Sequence, residues 1–281
     1  MSHARVLTLT CVAMTAFAGN SLLCRLALKN TGIDAASFTS IRILSGALAL
    51  WLIVRIRGGA PGTSGNWPSA FALFCYAACF SFAYVGLPAA TGALLLFGAV
   101  QVTMIGYGLW IGEHLSARQI TGLVLAFGGL VGLLLPGLSA PPLREATLML
   151  AAGVAWGIYS LRGRGTQDPI RVTAGNFLRC GGFAVGLSAA MLARTSLDSW
   201  GIGYAIASGA FASGVGYAIW YTALRGLKAT SAASVQLSVP VIAAGGAIVL
   251  LGESMTLRLL VASVVILGGI ALVIFDKRKS R

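Results

Sequence analysis

Gly112-Glu113-His114-Leu115-Ser116-Ala117-Arg118 is answered, 140 residues later, by Gly252-Glu253-Ser254-Met255-Thr256-Leu257-Arg258. Glycine, glutamate and arginine keep their places in both copies. Val124 and Gly128-Gly129 follow the first copy, and Val264 and Gly268-Gly269 follow the second at the same spacing. Upstream, Ala83, Gly86, Leu87, Ala89 and Ala93 match Ala223, Gly226, Leu227, Ala229 and Ala233. A register kept on both sides of a turn marks a duplicated unit.

The duplicated stretches are apolar, and so is almost everything around them. Of 281 residues, 57% are hydrophobic and only 10% charged, and the mean hydropathy is +0.87. Soluble domains carry about 25% charged residues, and a bilayer crossing needs roughly 20 apolar residues. Ten such stretches stand at 6–28, 36–54, 68–87, 90–111, 119–138, 146–161, 172–193, 200–224, 229–251 and 257–275. The connections are short, leaving no room for a soluble domain. The expected fold is an all-α integral membrane protein. Arg5 and Ala16-Phe17-Ala18 have the look of a signal peptide, but the apolar run continues to Leu28, so a first span is the better reading.

The net charge of +13 does not point to nucleic acid, because the cations are sorted by loop rather than interleaved with aromatics. With the N-terminus inside, thirteen Lys and Arg fall on the inner side, among them Arg5, Arg55, Arg118, Arg171 and Lys277-Arg278-Lys279. Five fall outside: Arg25, Lys29, Arg144, Arg194 and Arg258. Cytoplasmic loops carry that excess, so both termini are expected inside the cell, and the basic C-terminal run is read as an anchor to anionic lipid. The five cysteines (Cys11, Cys24, Cys75, Cys79, Cys180) lie within apolar stretches. They form neither a disulfide framework nor a metal-ligand pattern; no cofactor and no metal site are expected.

Five spans per copy means that the second copy enters the membrane from the opposite side. The chain is therefore expected to be two inverted five-helix repeats, residues 1–140 and 141–281, divided in the Pro/Gly-rich segment Pro136–Pro142. Inverted repeats place a substrate site near the midplane between the halves and let the two sides open in turn. Glycine, at 37 residues, exceeds its usual share of about 7%. Small residues let membrane helices pack closely.

Phe17-Ala18-Gly19-Asn20-Ser21 with Arg25, Arg42 in the second span, and Trp220-Tyr221-x-Ala223-Leu224, Ala232-Ala233-Ser234, Val239-Pro240-Val241 and Leu251-Gly252-Glu253 resemble the EamA family of the drug/metabolite transporter superfamily. The resemblance spans almost the whole chain. It implies ten helices in two inverted halves and movement of small metabolites, often outward; amino-acid exporters of the YddG kind are the branch favoured here. One departure stands out. The family often has proline before both Gly-Glu turns, whereas Pro240 is matched in the first half by Val100.

Polar groups deep in a span need a partner or a cavity. Asn20, Gln101 and Gln236 are candidate substrate ligands on that ground, against the plainer role of bonding a neighbouring helix. Pro240 frees a carbonyl about one turn earlier, at Gln236, which would suit an ammonium group; a packing kink is the alternative. Aromatic residues recur at helical spacing: Tyr76, Phe80 and Tyr84; Trp156 and Tyr159; Tyr217, Trp220 and Tyr221. Tyr84, Trp156, Tyr159 and Tyr217 are taken as cavity candidates, although such stripes often face lipid. Arg42 and Arg179 occupy corresponding places in spans 2 and 7, snorkelling or pairing with carbonyls or an anionic substrate group. Glu113 and Glu253 are read as structural turns first and gate latches second. Ser116 and Gln119 have the spacing of a capping box.

No acid or histidine stands at mid-span, so proton-coupled drug efflux is disfavoured and uniport or exchange preferred. Nucleotide sugars would require several cavity cations, and only Arg25, Arg42 and Arg179 are available. A lipid enzyme would need a catalytic constellation that is missing; a channel is the remaining rival. The expectation is a non-enzymatic exporter of amino acids or related small metabolites in the inner membrane, with the lipid bilayer and a small molecule as its partners.

Overall fold

Capping chemistry fixes where most helices begin. In the structure, a computed structural model, residues 3–60, 64–112, 116–135, 140–163, 166–224, 235–236 and 238–274 are described, and Glu113 therefore lies outside the described residues. Helix α1 is His3–Asn30, α2 Ala35–Ile56, α3 Trp67–Tyr84, α4 Ala89–Trp110, α5 Ala117–Leu134, α6 Leu143–Arg162 and α7 Pro169–Ala190. A continuous rod follows: α8 Ser199–Ile206, a π-helical segment Ala207–Val215, and α9 Gly216–Leu224. Helices α10 Ser238–Leu251 and α11 Leu257–Ile274 complete the described chain.

Asp34, Asn66, Asp168 and Asp198 each accept backbone N–H bonds at the helix that follows, satisfying donors that the helix itself cannot. Ser116 and Gln119 form the full capping box read from the sequence. Gly112 and Gly252, the glycines of the two Gly-Glu turns, both take positive φ, +91° and +61°. That region is open to glycine at little cost, and it stops α4 and α10 at equivalent places.

Among the described residues, six helical stretches are long and apolar enough to cross a membrane: Ala4–Asn30, Ala35–Ile56, Trp67–Tyr84, Ala89–Trp110, Ala117–Leu134 and Ser199–Ala223. Helices α10 and α11 are apolar but shorter. In α6 the apolar run is flanked by Arg144, Glu145 and Arg162, and in α7 it is broken by Arg171, Asn176 and Arg179. The described residues are helical or irregular, with no strands.

The main packing pairs are α5 on α11, α3 on α6, α4 on α6 and α2 on α7. The rod α8–α9 lies against α1 and α2, and α10 lies against α1 and α4. One core runs through these contacts and includes Met14, Phe38, Phe80, Tyr84, Leu95 and Met149. The rod approaches α2 closely at Gly209 in the π-segment, where a Cβ would overlap the Arg42 carbonyl oxygen and Ser45 Oγ. Only glycine lets the rod lie this close to α2. The large exposed apolar side chains, such as Trp110, Val249, Leu257 and Trp200, have the lipid-facing character of a membrane bundle.

Candidate functional site

Where α1, α2, α3, α6 and the rod meet, the sequence supplies polar groups in an otherwise aromatic surround. Ser208 Oγ donates to Asn20 Oδ1 at 2.6 Å, and Asn20 Nδ2 donates to Tyr76 Oη at 3.2 Å. Arg42 Nη2 donates to the same Tyr76 Oη at 3.1 Å. The π-segment presents Ser208 to Asn20; π-turns inside α-helices occur frequently at functional sites. All four residues are buried.

A small cavity adjoins this chain of bonds, lined by Phe17, Asn20, Ser21, Tyr76, Phe80, Leu96, Phe97, Trp156 and Tyr217. Its volume is about 20 Å³, enough for roughly one water molecule. Aromatic rings form the wall. Tyr76 and Trp156 stand 4.8 Å apart, Trp156 and Tyr217 5.1 Å, and Phe17 meets Tyr217 edge-on at 5.8 Å. Among the described residues no carboxylate lines the cavity.

Beyond Phe80 and Tyr84, toward the end of the bundle that carries Glu253, a vestibule of about 450 Å³ is lined by residues including Arg25, Lys29, Thr91, Pro142, Ala244, Ala247 and Glu253. An ion pair stands in its wall. Arg25 Nε donates to Glu253 Oε1 at 3.0 Å. Glu253 Oε2 accepts the Ala89 N–H at 2.7 Å, capping α4 from the far half of the chain, since Pro88 offers no side-chain cap. Arg25 Nη1 also donates to the Tyr84 and Val85 carbonyls, 2.9 Å each. Tyr84, fully buried, donates to the Ala89 carbonyl at 3.3 Å. Arg25, Glu253, Ala89 and Tyr84 thus tie α1, α3, α4 and the turn after α10 into one plug.

The residues singled out in the sequence divide as follows. Asn20, Trp156 and Tyr217 come together on the cavity. Tyr84 belongs to the plug, packed on Phe80 with centroids 4.7 Å apart. Tyr159 stands behind Trp156, 5.6 Å between centroids, and accepts from Asn176. Gln101 is buried on α4 and Gln236 half-buried, neither on the cavity wall. Pro240 is buried in the first turn of α10, with Leu237 outside the described residues. Arg42 points into the protein, whereas Arg179 donates to the Ser64 and Gly175 carbonyls at 2.8 and 2.9 Å. The sequence reading missed Tyr76, Phe80, Phe17, Ser21 and Ser208 as lining or bonding residues. Only the fourfold spacing of Tyr76 and Phe80 signalled the first two.

Residues 143–275 match the EamA-like transporter family. The uncharacterized protein PA1977 of Pseudomonas aeruginosa strain PAO1 is 57% identical over 275 residues, which cover 98% of this chain and 96% of that one. A solved structure described only as a crystal structure of a protein superposes with a TM-score of 0.70 at 17% identity. The match covers 99% of this chain and 100% of the other, which shows a shared fold. The chain therefore belongs to the family of that Pseudomonas protein, and it carries an EamA-like transporter family domain over residues 143–275.

Proposed function

We propose that this chain is an alternating-access transporter of the drug/metabolite transporter superfamily. It exports amino acids or related small metabolites across the inner membrane, as a uniporter or exchanger. The observation that carries the reading is a buried polar chain, Ser208–Asn20–Tyr76–Arg42, in a bundle that also holds a 450 Å³ vestibule with the Arg25–Glu253 ion pair in its wall. Small-molecule sites have volumes of about 300–1,000 Å³. The central cavity, at about 20 Å³, is far below that, as a site collapsed between two open states would be. A ligand shifts such a protein only by binding one state better than the other.

The transport reading includes ten crossings in two inverted halves, 1–140 and 141–281, with both termini inside. Reciprocal contacts support it. Gly129 approaches Ile266 such that a Cβ would stand 2.7 Å from Ile266 Cγ1. Its counterpart Gly269 approaches Ala126, the counterpart of Ile266, with a Cβ 2.7 Å from Ala126 N. Paired contacts of this kind are the signature of a two-fold axis. Ser116 and Thr256 cap α5 and α11 from equivalent positions, accepting from Gln119 N and Leu259 N at 3.2 and 3.1 Å. Efflux of cationic drugs is less well supported, since no carboxylate lines the cavity among the described residues.

The test is uptake into proteoliposomes across amino acids, nucleotide sugars and organic cations, with and without a pH gradient. Transport of amino acids without stimulation by the gradient is expected. Transport of an organic cation with no amino acid carried would overturn the reading.

A further inference from the structure

Arg42 is 2% exposed, and burying a guanidinium costs several kcal/mol unless it is paired and bonded. Its pairing is incomplete. Nη2 donates to Tyr76 Oη, while Nη1 has no hydrogen-bond acceptor. The guanidinium carbon stands 4.7 Å from the Phe80 ring centroid and 5.2 Å from that of Tyr76, so two aromatic faces supply part of the compensation. The ion pairs among the described residues, Arg25–Glu253 and Arg171–Asp168, leave Arg42 without a carboxylate.

The neighbours deepen the imbalance. Tyr76 Oη accepts from both Arg42 and Asn20, so its own proton remains to be donated. Asn20 Oδ1 is already taken by Ser208. The network holds an uncommitted guanidinium N–H on Arg42 and an uncommitted Tyr76 proton, together with a fixed positive charge and no carboxylate among its members. That is the opposite of what an ammonium group needs, and it matches an oxyanion. One guanidinium edge and one hydroxyl suit a singly charged carboxylate better than a doubly charged phosphate.

We infer that Arg42 and Tyr76 form the subsite for a substrate carboxylate, occupied when the central cavity widens. Phe17, Phe80, Trp156 and Tyr217 then enclose an apolar or aromatic remainder of the substrate. In the closed state Arg42 rests on the Phe80 and Tyr76 rings. Gly209 holds the rod against the Arg42 backbone, which fixes the origin of the side chain. This inference rests on the transport reading for its substrate, and it names the chemical handle. The substrate is recognised by its carboxylate, and its ammonium group is dispensable.

The experiment is isothermal titration of the purified protein with L-phenylalanine, 3-phenylpropanoate, phenethylamine and phenyl phosphate, in wild type, Arg42→Gln, Arg42→Lys and Tyr76→Phe. Both carboxylates should bind, phenethylamine should not, and phenyl phosphate should bind more weakly. A hydrogen bond to a charged group corresponds to about a 10- to 100-fold change in affinity, the loss expected for Arg42→Gln. Arg42→Lys should recover part of it, and Tyr76→Phe should lose several-fold while keeping the ring. If the Arg42 variants do not fold, Tyr76→Phe carries the test. Binding of phenethylamine as tight as that of L-phenylalanine, stronger binding of phenyl phosphate, unchanged carboxylate affinity in the variants, or no carboxylate binding at all would each overturn the assignment. Failure of the transport reading looks different: carboxylates bind through Arg42, but proteoliposomes take up none of them.

Discussion

Glu253→Gln removes the charge that holds two donors from the first half of the chain, Arg25 Nε at 3.0 Å and Ala89 N at 2.7 Å. The pair is largely buried, with side-chain exposures of 11% and 9%, so solvent screening is weak. Stripping one partner from a buried pair costs about 3–5 kcal/mol when the other is left stranded. Arg25 is not stranded here, because it keeps the Tyr84 and Val85 carbonyls. Glutamine also retains an oxygen for Ala89, although its amide turns N–H groups toward Arg25. The loss is then close to one charge-assisted bond, about 2 kcal/mol. If those bonds exist only with the plug closed, the open population rises about 30-fold. Cys24 reports on this, being fully buried beside Arg25. With the other four cysteines replaced by alanine, maleimide labelling of Cys24 in purified protein should accelerate about 30-fold in Glu253→Gln. In the double variant Arg25→Gln/Glu253→Gln the effects should be less than additive. Labelling no faster than in the parent would refute the plug as a gate.

Gly209→Ala should lower the melting temperature by an overpacking cost of about 1–3 kcal/mol, since its Cβ meets the Arg42 carbonyl. Gly19→Ala, with no atom within 4 Å, should be neutral or slightly stabilising. Gly269→Ala should destabilise, its Cβ falling 2.5 Å from the Gly122 carbonyl oxygen, while the adjacent Gly268→Ala, facing open space, should not; paired thermal melts check both. At Asp34, partial burial pushes the carboxyl pKa up. Bonds from the Ser37 hydroxyl and the Ser196, Ser37 and Ala36 N–H groups outweigh it, leaving the pKa below its ordinary 3.8. The stabilisation this gives is present above pH 3.8 and lost as pH falls through the lower folded value. Asp34→Asn should flatten the acid side of the melting profile below that pH. Asn20→Ala and Trp156→Ala should impair transport more than Cys75→Ala at equal expression.

Much of the framework could be read from the chain because it depends on local chemistry. Gly112 and Gly252 announced two equivalent helix stops, and Ser116 with Gln119 announced a cap, because left-handed turns and N-caps are decided within a few residues. Asn20 was legible as a buried amide in need of a partner. Its partners were not: Tyr76 lies 56 positions away and Ser208 188, and only helix packing brings them together. Ser208 was further hidden because the π-segment changes the number of residues per turn, so helical spacing no longer says which face it occupies. Glu253 read first as a turn residue, since nothing near it in sequence reveals that Arg25 and Ala89 meet it across the bundle. Arg42 and Arg179 were read as counterparts, yet one lies behind the cavity and the other bonds the Ser64 and Gly175 carbonyls. Duplication sets equivalent backbone positions, but side chains follow their own surroundings.

Counterflow tests the central claim most directly. Proteoliposomes preloaded with unlabelled L-phenylalanine are supplied with labelled L-phenylalanine outside, without a pH gradient. Alternating access through one site gives saturable, transient accumulation of label that depends on the preload and is slowed by Asn20→Ala. Flux that is linear in concentration and indifferent to the preload would contradict the account.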